Sequence, residues 1–172
     1  MTGKGVAIVT GGSRGIGRAT ALKLGQAGYT VVVNYVSKPA AADAVVDQIR
    51  KAGGMAAAVA GDVAREADVL ALFAAADRLG PLTVLINNAG VMDAQARLDE
   101  MSLDRLTRLF NINILGSFLC AREAVKRMST AHGGQGGGIV LVSSQVTQFG
   151  GNRLGPYAAS KAALNTLTVG LA

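Results

Sequence analysis

The chain has 172 residues, half of them apolar and 16% charged, with a formal net charge of +6. That length supports one globular domain spanning 1–172 with a sizeable core, and no apolar run approaches a bilayer crossing, so the expectation is a soluble, cytoplasmic protein without a membrane partner. Basic residues form no run longer than two between Lys4 and Lys161 and aromatics make up only 4% of the chain, which argues against a nucleic-acid surface, while one cysteine (Cys120) and one histidine (His132) argue against a disulfide, a structural metal site or a Cys/His nucleophile pair.

Apolar stretches of strand length alternate with longer helical patterns from end to end, the sign of a parallel sheet wrapped by helices. The first strand is expected at 6–10 and runs into Thr10-Gly-Gly-Ser-Arg-Gly-Ile-Gly17, which opens a helix over 16–27. A glycine turn between strand and helix offers backbone amides and a helix N-terminus to a pyrophosphate, making Gly11, Ser13, Arg14, Gly15, Ile16 and Gly17 candidate cofactor contacts. The spacing is looser than G-x-G-x-x-G, and glycines also serve tight turns and close packing, so the turn alone leaves both readings open.

The second strand is expected at 30–35, after Gly28 closes the first helix. Folds that bind the unphosphorylated dinucleotide place an acidic residue at the end of this strand to hold the ribose hydroxyls. Here the positions are Asn34 and Tyr35, followed by Ser37 and Lys38, with Arg14 in the preceding turn. A 2′-phosphate would meet cations rather than a carboxylate, which favours NADP(H) over NAD(H). A helix over 40–52, closed by Gly53, leads to a third strand at 56–60 and then to Asp62 and Val63. A carboxylate and an amide there suit an adenine edge, and Asp62 equally suits a helix N-cap. A helix over 66–79 precedes the fourth strand at 83–87, which ends in Asn87-Asn-Ala-Gly90, beside the crevice where doubly wound sheets bind ligands.

A long helix is expected over 103–128, with Leu106, Leu109, Phe110, Leu115, Phe118, Leu119 and Val125 as a broad apolar face and Asn113 as an amide that needs a partner. Five glycines within 131–138 read as a mobile surface loop before the fifth strand at 139–143. The last helix is expected from Tyr157 onward. Tyr157 and Lys161 are one helical turn apart, so a cation beside the phenol would favour the phenolate and ease proton exchange with a carbonyl oxygen. Ser144 could hold that oxygen from a second side. The bland alternative is a tyrosine and a lysine decorating an exposed helix.

Together these segments resemble the classical short-chain dehydrogenase/reductase family over essentially the whole chain: the glycine turn, Asp62-Val63, Asn87-Asn-Ala-Gly90, Asn113 in Phe-Asn-Ile-Asn-Ile-Leu-Gly116, Ser144, and Tyr157-Ala-Ala-Ser-Lys161. The resemblance implies a Rossmann fold with strand order 3-2-1-4-5. It also implies that Tyr157 is the acid or base, Ser144 positions the carbonyl, Lys161 lowers the phenol's pKa and binds the nicotinamide ribose, and Asn113 holds a water in a proton relay. Gly11, Asp62, Asn88, Ala89 and Gly90 would bind cofactor, and Val-Asn-Tyr with Arg14 is similar to NADPH-using carbonyl reductases of the 3-oxoacyl-carrier-protein or sugar-dehydrogenase type. Family members continue into a sixth strand, a substrate-covering loop and a seventh strand, which this sequence lacks. The implied partners are a small carbonyl or alcohol substrate and a second copy, as homodimer or homotetramer, docked through the helix over 103–128 and the helix from Tyr157. The alternative expectation is a catalytically incomplete dinucleotide-binding module.

Overall fold

The computed structural model describes residues 3–172. Five strands, β1 (Val6–Val9), β2 (Thr30–Tyr35), β3 (Met55–Ala60), β4 (Leu82–Asn87) and β5 (Gly138–Leu141), form one parallel sheet in the order β3-β2-β1-β4-β5. The expected strand order is therefore the observed one, a Rossmann-like α/β arrangement. Helices α1 (Gly15–Gln26), α2 (Pro39–Lys51), α3 (Glu66–Asp77), α4 (Leu103–Phe110), α5 (Gly116–Met128), α6 (Val146–Phe149) and α7 (Gly155–Leu171) cover the sheet.

The strands are apolar at almost every position because both of their faces are buried. Their side chains still divide by parity. Val6, Ile8 and Val32 enter a core with Leu72 and Phe73 of α3 and Cys120, Ala124 and Met128 of α5, whereas Val9, Val31 and Val33 enter a second core with Val45, Val46 and Ile49 of α2. α1 approaches α2 closely because Gly25 has no side chain; a Cβ there would sit 2.7 Å from Ile49 Cγ2.

Most boundaries differ from expectation by one or two residues, and four differences have a physical reason. β1 stops at Val9 because the Thr10 side chain turns to bond backbone, β5 stops at Leu141, and α7 starts at Gly155 with a proline at its first turn, where a missing N–H costs nothing. The expected long helix is interrupted by a π turn, Asn111–Leu115, between α4 and α5. Such a turn widens the helix by one residue and is common at functional sites. α6 is an added four-residue helix. The glycine-rich segment is held by backbone bonds from Gly134 N to Ser129 O (2.9 Å) and from Gly136 N to Met128 O (2.8 Å).

Cys120 is fully enclosed, and burial, helped by the Glu123 carboxylate, pushes its thiol up to about 12 from an ordinary 9.0. The thiolate fraction at pH 8 is then lower by about a thousandfold. A disulfide reagent at that pH should label Cys120 in urea and leave the native chain unlabelled over hours; equal labelling rates in both would contradict this packing.

Candidate active site

The sheet places the carboxyl ends of β1 and β4 side by side, with the connections leaving to opposite faces, which is where doubly wound sheets open a crevice. Thr10 holds this junction. Its hydroxyl, fully buried, accepts from the backbone N–H of both Asn88 and Ala89 (2.9 Å each) and donates to Ile86 O (3.4 Å). Asn88 answers with its amide, donating to Thr10 O (2.9 Å) and Gly11 O (3.2 Å). Gly17 lies against this weld so tightly that a Cβ would stand 2.5 Å from Asn88 Nδ2. The helix α1 can start this close to the strand ends only with glycine at that position.

Asn34 ties the other side. Its Oδ1 accepts from Gly11 N (3.2 Å), and its Nδ2 donates to Val59 O (3.3 Å) and Gly61 O (2.9 Å). All of its hydrogen-bonding capacity that the structure uses goes to backbone, and only 1% of the residue is exposed. Asn34 therefore ties the glycine turn to the β3 end, with both ends of its amide engaged by backbone. Asp62 accepts from Ala64 N (3.0 Å), while the N-cap position of α3 is Arg65, so the N-cap alternative for Asp62 does not hold.

Between these ties lies a cleft of about 560 Å³. Of the expected cofactor residues, Gly11, Ser13, Arg14, Gly15, Ile16, Asn34, Tyr35, Ser37, Asp62, Val63, Asn88, Ala89 and Gly90 line it; Gly17, Tyr157 and Lys161 do not. Val36, Lys38, Val91, Arg108 and Ile112 line it as well. Arg14 and Lys38 are exposed and in no ion pair among the described residues, whereas Arg108 is bonded to Asp93 at 2.8 Å.

The second group of candidates gathers at the β4–β5 edge. β5 ends at Leu141, paired with Asn87, and Ser144 follows three residues later, its Oγ accepting from Val146 N at 3.4 Å. Lys161 is 4% exposed and donates to Val142 O (2.8 Å) rather than to the phenol; burial draws its pKa below the ordinary lysine value. Tyr157, half-buried, lies one turn earlier on α7 and lines a narrow crevice with Asp93, Arg105, Leu106, Leu109 and Arg153. Asn113 is fully buried in the π turn, taking the Val91 N–H on Oδ1 (2.8 Å) and giving Nδ2 to Val91 O (2.9 Å) and Ser160 Oγ (3.0 Å). A Cβ on Gly90 would stand 3.3 Å from Asn113 Oδ1 and 3.3 Å from Lys161 Nζ, so the end of the cleft, the amide and the ammonium share one corner.

A family model described as short chain dehydrogenase matches residues 5–172. The chain belongs to the short-chain dehydrogenase family. Its curated relatives include an uncharacterised oxidoreductase, YgfF, of Escherichia coli (49% identical over 96% of this chain and 68% of that protein). Others are an NADPH-dependent aldehyde reductase of Arabidopsis thaliana chloroplasts (38%, over 94% and 63%) and glucose 1-dehydrogenase 2 of Bacillus subtilis (37%, over 100% and 66%). This short-chain dehydrogenase chain thus spans about two thirds of the length of the curated relatives it matches. No helix among the described residues is long and apolar enough to cross a membrane.

Four residues of this short-chain dehydrogenase play parts that escape a reading of local pattern. Thr10 and Asn34 act on backbone far along the chain, at Asn88 and Gly61, and nothing in their own neighbourhood signals it. Arg108 and Ile112 reach the cleft only because α4 and the π turn cross its end. Since Asn34 faces backbone carbonyls, Asn34→Asp should not create an NAD(H) preference. It should instead leave the Val59 and Gly61 carbonyls facing a carboxylate, cost about 1–3 kcal/mol in urea unfolding, and weaken both cofactors alike in a fluorescence titration. A gain in NADH affinity would show that the side chain reaches the ribose.

Proposed function

We propose that the chain binds NADP(H) in the cleft between the β1 and β4 ends and serves an oxidoreductase acting on a carbonyl or secondary alcohol, with Tyr157 as general acid or base. The observation that carries this reading is the cleft itself: about 560 Å³, floored by backbone at a glycine turn that tolerates no Cβ at Gly17, and flanked by the cations Arg14 and Lys38, in no ion pair among the described residues. Asp62 is the single carboxylate among the described residues lining it. A dinucleotide pyrophosphate suits the turn and the α1 N-terminus, and a 2′-phosphate suits Arg14, Ser37 and Lys38. The name of the Arabidopsis relative, an NADPH-dependent reductase, agrees with the choice of the phosphorylated cofactor. NAD(H) is the weaker alternative.

NADP(H), when bound, supplies or accepts the hydride. In the reductive direction Tyr157 gives its phenolic proton to the carbonyl oxygen, and Ser144 donates a hydrogen bond to the same oxygen from the loop after β5. Lys161, one turn from Tyr157, favours the phenolate by its charge. Burial works against that charge, and the bond to Val142 O opposes the burial. Asn113, whose Oδ1 lies at the Gly90 corner together with Lys161 Nζ, is the group we assign to holding a water in the proton relay.

Exposed Leu103 and Leu115 and half-exposed Phe118 leave an apolar strip along α4, the π turn and α5. This supports a homo-oligomer docked on that surface, as homodimer or homotetramer. A second reading, a dinucleotide-binding module with little turnover, is favoured by the outer side of β5. There Val140 is 51% exposed, and an open groove of about 500 Å³ runs between Met128, Ile139, Leu141 and Thr168.

One set of measurements separates the readings. Incubated with NADPH and a panel of aldehydes, ketones and oxoacyl thioesters, the chain should consume cofactor, and Tyr157→Phe should abolish consumption while NADPH affinity stays within about twofold. Binding without consumption by the unaltered chain favours the second reading. Arg14→Ala should weaken NADPH by about tenfold, the loss of one charge-assisted bond, and spare NADH; an equal loss for both overturns the preference for the phosphorylated cofactor.

A further inference from the structure

Within one turn α7 carries Tyr157, Ser160 and Lys161, and Ser160 is fully buried. Its hydroxyl donates to Tyr157 O at 2.7 Å, which commits the proton. The Ser160 oxygen is then left to accept, and it takes Asn113 Nδ2 at 3.0 Å. Asn113 bonds Val91 through both ends of its amide, and its own carbonyl accepts from Ser117 Oγ at 2.9 Å. One amide therefore joins three elements: the loop after β4 that ends the cofactor cleft, the π turn, and the helix bearing the phenol and the ammonium.

We propose that Ser160 is a positioning residue for proton transfer: by bonding Asn113 it holds the Tyr157–Lys161 turn in register with the Gly90–Val91 loop. The inference rests on the reading of Tyr157 as proton donor. Both partners of Ser160 are neutral, so removing its hydroxyl alters geometry and leaves local charge unchanged. The charged groups around the phenol stay in place: Asp93 before α4, Arg105 on α4, Arg153 in the loop before α7, and Lys161 on α7 itself. Without Ser160 one hydrogen of a buried amide lacks a partner. The contact between α7 and the π turn then slackens, Lys161 shifts relative to Gly90, and the phenolate loses part of its electrostatic support.

A purely structural hydrogen bond would lower stability and nothing else, so the decisive readout is the split between kcat and KM. In Ser160→Ala NADPH consumption should fall about tenfold in kcat at neutral pH, with NADPH affinity and carbonyl KM within about twofold. Ser160→Cys, nearly isosteric with a poorer acceptor, should fall between. A lower melting temperature with an unchanged kcat, in either variant, overturns the proposal, and Ser160→Cys decides alone if Ser160→Ala does not fold. If Tyr157→Phe changes no rate, the proton-donor reading falls and takes this inference with it. A rate abolished in Tyr157→Phe and unchanged in both Ser160 variants defeats this inference alone.

Discussion

The Thr10 hydroxyl, with no exposure to solvent, is where the two halves of the sheet are joined. Two backbone N–H groups, those of Asn88 and Ala89, converge on it from the end of β4, and Asn88 returns two bonds to the backbone of Thr10 and Gly11. Burying those groups unpaired would cost about 1–3 kcal/mol apiece, so the junction exists only with a small hydroxyl residue there. The cleft is the open side of this junction. Its floor is set by how closely α1 can approach, and Gly17, already touching Asn88, fixes that distance.

Electrostatics follow a matching division. Where α3 meets α5, Glu123, buried but for 4% of its side chain, is bonded by Lys126 and by Arg127, which also grips Asp77, while Arg122 reaches Glu66. Burial alone would push the Glu123 carboxyl up, and the hydrogen bonds from Lys126 and Arg127 reverse this and hold it below the usual range. Three carboxylates are thereby neutralised on one side of the sheet. Arg14 and Lys38, across the molecule at the cleft, meet no such partner among the described residues. The net charge of +6 thus has a local consequence at the cleft, where Asp62 is the single lining carboxylate among the described residues against Arg14, Lys38 and Arg108.

The strands were legible in the sequence because a fully buried parallel strand has few ways to look other than apolar, and the helices because Gly28 and Gly53 mark their ends. The sheet order followed from that alternation and from resemblance together. The cleft lining was legible where it comes from contiguous turns, such as Gly11 to Gly17 and Asn88 to Gly90. It was not legible where α4 folds back over the sheet: Arg108 and Ile112 sit in a segment whose spacing announces only an amphipathic helix. The π turn was hidden for a related reason. Asn111–Leu115 carries no glycine or proline, and its extra residue per turn is imposed by tertiary bonds from Asn113 to Val91 and Ser160, not by local propensity.

Asn34 shows why a motif position is a poor guide to what a side chain touches. Read along the chain it stands where an acid would hold a ribose, yet in space it spans the glycine turn and two carbonyls of the β3 end. Thr10, Asn87, Asn113, Ser117 and Ser160 share this character, each buried and bonded to backbone or to one another. The exposed groups at the cleft, Arg14, Ser37 and Lys38, make no such bonds among the described residues. The polar residues around the cleft are therefore of two physical kinds. The buried kind fixes the distances between strand ends and should respond to substitution through stability and geometry together, whereas the exposed kind lines the cleft and, where it meets the proposed ligand, should respond through affinity alone. Lys161 has a share in both, since it is buried to 4% exposure and bonded to Val142 O, and in the proposed reading its charge serves the phenol one turn away.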